Sequence, residues 1–368
     1  MTLTSQRLCV FCGQKTNAKT REHVVPYWLL KLTGDPRRVV TFGQNYDKDK
    51  EPIRYSWSNF VTPACNACND QYANLEGQVK PIIEALQRRE ALPVSAYIYL
   101  LDWLDKVRIG VWLARHMIEN SPIEITPNFH ISSRIAEKDR MLALYVFDSG
   151  NKGINLFGSD SLIFNDMPSC YGLRINDILL LNISSDFFCS RGCGLPYPNS
   201  MKQLMGGENS GMLKLEEFSY AAEITNPITN LKLFKPALWL YQPIKMPSSD
   251  PVFKAGYYGH TNQFDSRIIE RTLSGNERQG ALFRQYEDRI DILQNLDEII
   301  GLDQVTGGDC AMLKDIAASI YEIQISQYSD IQYEWIRPAK PSAYDKAYSK
   351  LKKDNALELA EMYRNQIS

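Results

Sequence analysis

The chain has 368 residues, of which 44% are hydrophobic and 23% charged, the make-up of a globular protein with room for two domains. Its 41 Lys and Arg against 43 Asp and Glu give a formal charge of −2, which argues against a general polyanion binder. No apolar run approaches the roughly 18–20 residues that cross a bilayer, and no membrane role is expected. The first seven residues lack the basic-then-apolar layout of a secretory signal, so a cytoplasmic location is expected. Charge is uneven along the chain. Residues 1–80 hold eleven Lys and Arg against seven Asp and Glu, a net of +4, and the remainder carries −6. That asymmetry suggests phosphate contact at the N-terminal end.

In chain order, residues 8–11 read as a short extended segment turned by Cys12-Gly13, and residues 38–42 as a second one. Residues 47–51 form a charged insertion. A helix is expected over 69–80, with Tyr72, Leu75 and Val79 on one apolar face, ended or kinked by Pro81. Residues 94–120 carry the strongest helical periodicity: Val94, Tyr97, Leu101, Leu104, Val107, Val111 and Ile118 recur at threes and fours. Pro93 and Pro122 bracket that run. Its dense aromatics (Tyr97, Tyr99, Trp103, Trp112) read as core packing in preference to base stacking.

From about 140 to 245 the texture is β, with strands expected at 141–147, 171–183 and 231–241 and a loop at 205–211. Helices are expected again at 275–299, 309–327 and 343–366. Charges at Lys346, Lys350, Lys352, Lys353, Asp354, Glu358 and Glu361 mark the last as a solvated surface helix. No internal repeat is visible.

The eight cysteines are unlikely disulfides in a reducing compartment, so close pairs read as metal ligands. Cys9-x-x-Cys12 and Cys65-x-x-Cys68 are such pairs, and together they would complete a closed tetrahedral zinc site. A small module with few apolar runs needs a staple of this kind. Cys170, Cys189 and Cys193 are better read as buried thiols than as a second metal site. His116, beside Arg115 on the long helix, reads as a packing or surface residue.

Between the cysteine pairs lies Arg21-Glu22-His23-Val24-Val25-Pro26, and Asn69 follows Cys68 directly. This pattern over residues 8–83 resembles the HNH superfamily of nucleases, a β-hairpin and helix gripping one divalent metal. The resemblance implies that His23 is the general base, with Asn59 as the middle motif asparagine. It implies Glu22 and Asn69 as ligands of a catalytic magnesium or manganese, beside the structural zinc on the four cysteines. A phosphodiester is attacked by water, so one group must take a proton while a cation neutralises growing charge. Lys19, Arg21, Lys31, Arg37 and Arg38 are available to touch phosphate, and Arg37 and Arg38 read equally well as plain exposed loop residues.

The expected fold class is α+β: a zinc-stapled ββα-metal finger at 1–83, then a larger mixed helical and β domain at 84–368. The expected function is metal-dependent endonucleolytic cleavage of DNA (in preference to RNA), in restriction or anti-phage defence by the habit of long HNH proteins. Two alternatives stay open. One is a zinc-stapled nucleic-acid-binding or adaptor protein with a vestigial HNH site. The other is an effector nuclease gated by a partner protein or small-molecule signal through residues 84–368, which are expected to fold without the N-terminal module.

Overall fold

The N-terminal quarter is made of very short strands that gain order from the long helices behind them. In the computed structural model, β1 (Arg21–His23) leads through Val24, Val25 and Pro26 into α1 (Tyr27–Leu32). A hairpin of β2 (Val39–Thr41) and β3 (Arg54–Ser56) follows, then a 3-10 turn at Trp57–Asn59 and β4 (Val61–Pro63). β4 returns antiparallel to β1, pairing Arg21 with Pro63, Glu22 with Thr62 and His23 with Val61. It delivers the chain to α2 (Asn66–Gln87). The structure describes residues 8–16, 20–41, 54–118, 131, 135, 139–185, 235–242, 282–286, 289–293, 295–303, 310–328 and 342–365, with the backbone alone at 197–203 and 213–219. Lys19, the insertion at 47–51, the loop at 205–211, Cys189 and Cys193 lie outside them.

The helix runs on through Pro81, where the sequence suggested an end or a kink. Proline lacks the N–H that would bond to the carbonyl four residues back, here that of Gly77. The helix nonetheless continues to Gln87, because Ile82, Ile83 and Leu86 beyond the proline are buried in the same apolar cluster as Val94, Tyr97 and Leu101 of the next helix. Burying side chains of that size is worth about 1.5–3 kcal/mol each, enough to offset one lost hydrogen bond and some strain. The boundary read at 83/84 therefore falls inside α2.

After β5 (Leu92–Pro93) comes α3 (Val94–Ile118), preceded by a proline whose side chain has no capping oxygen. The Val94 and Ser95 N–H groups donate to the carbonyls of Glu298 and Leu296, at 2.9 and 3.0 Å. The remaining strands are β6 (Asp139–Val146), β7 (Ile154–Phe157), β8 (Cys170–Ile175), β9 (Ile178–Ser185), β10 (Tyr197–Gln203), β11 (Leu213–Ser219), β12 (Leu238–Gln242), β13 (Leu282–Gln285), β14 (Ile290–Leu293) and β15 (Ile299–Ile300). Seven of them form one antiparallel sheet in the order β14-β13-β12-β6-β9-β8-β7. Helix α4 (Leu162–Asp166) lies between β7 and β8, and α5 (Cys310–Gln327) and α6 (Ala343–Asn365) close the chain.

Period-two alternation explains the layers. Leu142, Leu144, Leu180, Leu238, Leu240 and Leu282 join the cluster of α2 and α3 on one face. Met141, Ala143, Leu181, Tyr241 and Phe283 meet Ile316, Ile320 and Ile323 of α5 on the other. Both faces are covered, which is why β6 and β9 are buried along their whole length. α5 approaches closely at Gly172, where an added Cβ would stand 2.5 Å from the end of the Ile320 side chain and force it to shift. The fold is α+β, with every sheet pairing antiparallel among the described residues.

Further sequence expectations need correction. The helix expected over 275–299 is replaced within the described residues by β13, β14 and β15. Leu282 and Phe283 each have an apolar layer to enter, and β12 offers an open ladder, so pairing overrides a local sequence rich in Glu, Arg and Gln. Residues 8–11 form no strand, only the isolated bridge Leu8–Lys15. α6 is not solvated all round: Lys352 is buried and ion-paired with Asp166, and Ala356, Leu359 and Ala360 are buried beside Tyr321 of α5. The aromatics of α3 pack as expected, with Tyr97 and Trp103 fully buried. Cys170 is a buried thiol.

Candidate functional site

Two backbone turns bring four thiols together. Gly13 takes a φ of 71°, and its N–H donates to the Cys9 carbonyl at 2.9 Å, folding Cys9 and Cys12 onto one side of a tight knuckle. Cys65 is the last extended residue before α2, and Cys68 stands in the first turn of that helix. The Val10 N–H donates to the Pro63 carbonyl at 3.0 Å, which docks the knuckle on β4. The ligand atoms of Cys9, Cys12, Cys65 and Cys68 all lie within 4.8 Å of one another, a set that could hold a metal ion such as zinc. Burial pushes the Cys9 and Cys68 thiols up, and the backbone N–H of Cys68 pulls Cys65 down. The buried pair would need a cation close by to exist as thiolates.

His23 ends β1 on the hairpin next to this cluster. It is half-buried, its ring centroid 5.6 Å from that of Tyr27 at 46°. Burial draws its pKa below 6.5, against the opposing pull of Glu22 and of the Ser58 backbone carbonyl, while Lys106 adds to the lowering. The imidazole is thus neutral at pH 7, able to accept a proton.

Glu22, one position earlier on an extended strand, projects to the opposite side. There its Oε1 accepts from the Lys106 Nζ at 2.5 Å, and Glu76 of α2 accepts from the same ammonium. Asn69, also on α2, has its Oδ1 buried with no hydrogen-bond partner among the described residues. An orphaned amide oxygen of that kind fits a hard divalent cation. Asn59 is exposed at the end of the 3-10 turn, and the carbonyl facing His23 belongs to Ser58, its predecessor. Among the described residues, the four cysteines are the only group of three or more His, Cys, Asp or Glu that converges in this way.

The basic candidates divide. Arg21 and Lys31 are exposed, Lys31 lying over the Tyr27 ring at 4.8 Å. Arg37 is exposed beside Asp35 at 3.7 Å. Arg38 is committed to the fold: its guanidinium donates to the Asp35 carbonyl at 2.8 Å and to Thr33 Oγ1 at 3.0 Å, closing the end of α1. His116 is a buried packing residue, with Nε2 3.3 Å from the Asn165 carbonyl.

Lys106, Glu76 and Ser58 escape a motif reading. The signal for Lys106 was available: Asp102, Asp105, Lys106 and Arg108 interrupt a helix otherwise apolar enough to be buried, and buried charges must be paired. They are. Arg140 donates to Asp102 and Asp105 at 2.7 and 2.9 Å, and Arg108 to Asp105 at 2.9 Å.

The chain matches no family model, no curated protein and no solved structure in the comparisons made with them.

Proposed function

We propose that the N-terminal module is an HNH-type nuclease that hydrolyses phosphodiester bonds in DNA. The observation that carries this reading is the arrangement of β1, β4 and α2: a two-strand hairpin bearing a neutral His23, running into a helix whose first turn bears Cys68 and Asn69, beside four converging thiols. Zinc on the four cysteines would be structural, supplying folding energy and no chemistry. A magnesium or manganese ion at Asn69 and Glu22 would supply charge neutralisation at the phosphate when bound.

The protein's own part is proton transfer and positioning. His23 accepts a proton from water as the water oxygen bonds to phosphorus, and the bridging ester oxygen leaves and takes a proton from solvent. The Ser58 carbonyl favours the imidazolium that results. Arg21, Lys31 and Arg37 are exposed and would meet a phosphate backbone, which would orient the nucleic acid without reading its sequence. The sheet and its covering helices serve as the recognition or regulatory part, and restriction or anti-phage defence in the cytoplasm is the role this plan fits.

A second reading has one observation in its favour. Glu22, the acidic motif residue, is engaged by Lys106, which suits a zinc-stapled nucleic-acid-binding module whose metal site is vestigial. Plasmid nicking by the zinc-loaded chain in magnesium or manganese separates the two. Cleavage lost in His23→Ala supports the nuclease; DNA retention without cleavage in either ion supports the binding module.

A further inference from the structure

The proposed reaction leaves Lys106 without a task. It stands in the middle of α3 at 2% exposure, while the Glu22 and Glu76 side chains that accept from it are 12% and 16% exposed. The rings of Phe11 and Tyr72, stacked 4.1 Å apart, have their centroids 6.0 and 5.9 Å from its Nζ. A buried ammonium is costly unless paired, and this one is paired twice, so its position is strongly determined.

The two carboxylates are less satisfied than their cation. Glu22 and Glu76 share the one ammonium, and burial pushes the Glu76 carboxyl up from its ordinary value. Glu22 is turned toward α2 and α3, whereas His23 faces Tyr27 and the Ser58 carbonyl. A catalytic metal ligated by Glu22 would have to share that carboxylate with the ammonium, which already holds its Oε1, or take the ammonium's place. A divalent ion brings twice the charge of the lysine, and the ring faces of Phe11 and Tyr72 remain as partners for the ammonium it displaces. The Oδ1 of Asn69, buried and without a hydrogen-bond partner among the described residues, is an oxygen open to such an ion in the same module.

We propose that Lys106 is a positioning residue that competes with the catalytic metal for Glu22: the ammonium holds the carboxylate through Oε1 on the α2–α3 side of β1, and its positive charge opposes a divalent ion on the same carboxylate. This rests on the nuclease reading for the metal and adds the residue that sets its affinity.

The test is a titration of manganese into the zinc-loaded full chain without DNA, followed by calorimetry and by the electron paramagnetic resonance of free manganese. Lys106→Met leaves two buried carboxylates without a counter-ion, so it is paired with the charge-balanced double variant Lys106→Met/Glu76→Gln. Zinc content and circular dichroism check the fold of each. Manganese binding in the double variant should tighten by about tenfold, equivalent to about 1.4 kcal/mol, and adding Glu22→Gln should cancel the gain. Unchanged affinity in the folded double variant overturns the proposal, and so does a gain that survives Glu22→Gln. Cleavage is not read here. A chain that never nicks DNA yet shows the Glu22-dependent gain defeats the nuclease reading alone, and a nicking chain with unchanged affinity defeats only the Lys106 proposal.

Discussion

The Sγ atoms of Cys12 and Cys65 lie 3.8 Å apart although 53 positions separate them in sequence. Everything between them, including His23, is a loop closed by the cluster. Metal binding there should therefore be folding energy, on the order of 10–16 kcal/mol at pH 7 for comparable structural zinc sites. The purified protein should carry one zinc per chain, and Cys65→Ser should lose both the zinc and the folded N-terminal module. Elemental analysis of a folded, reduced sample would sink this if it found no zinc.

His23→Ala should abolish DNA cleavage with fold and zinc intact, since a general base contributes about a hundred- to ten-thousand-fold in rate. Asn69→Ala should lose activity that added manganese or magnesium partly restores, because a weakened ligand set lowers affinity while the proton acceptor stays. A metal titration of both variants on one DNA substrate makes the comparison. Cleavage by His23→Ala at the wild-type rate would rule out the assigned base.

Arg140 is fully buried and donates to Asp102, Asp105 and Gln242 Oε1. Arg140→Met should cost about 3–5 kcal/mol in urea unfolding, because it leaves buried carboxylate charge without its counter-ion. Arg37→Ala, on the exposed pair with Asp35, should stay within about 0.5 kcal/mol of wild type. Equal losses in the two variants would contradict the burial argument.

Acid should weaken the fold in the histidine range. Burial draws the pKa values of both His116 and His23 below 6.5 in the folded chain. The unfolded chain then takes up protons first as pH falls, so this stability is fully present above about 6.5 and is lost as pH drops toward the folded values. His116→Gln should flatten the fall in melting temperature between pH 7 and 5.5. Parallel curves for the variant and wild type would exclude His116 as a contributor.

Local patterns already specify several parts of this protein. Two CxxC pairs of matched spacing imply one tetrahedral site, since each pair turns two thiols to one side. The apolar periodicity of 94–120 implies a helix, and the runs of aliphatic and aromatic residues at 141–147 and 171–183 imply strands, because such side chains fit a pleated sheet covered by apolar layers. Other features exist only through contacts distant in sequence. Pro81 is carried through a helix by the packing of Ile82, Ile83 and Leu86, and Leu282–Gln285 and Ile290–Leu293 become strands because β12 offers a ladder to the first and the first to the second. The Ser58 carbonyl reaches His23 only when β4 has paired with β1, and Lys106 meets Glu22 across 84 positions. Neither partner has a sequence motif. A buried charge selects its counter-ion by position in space, and that position is set by the tertiary fold.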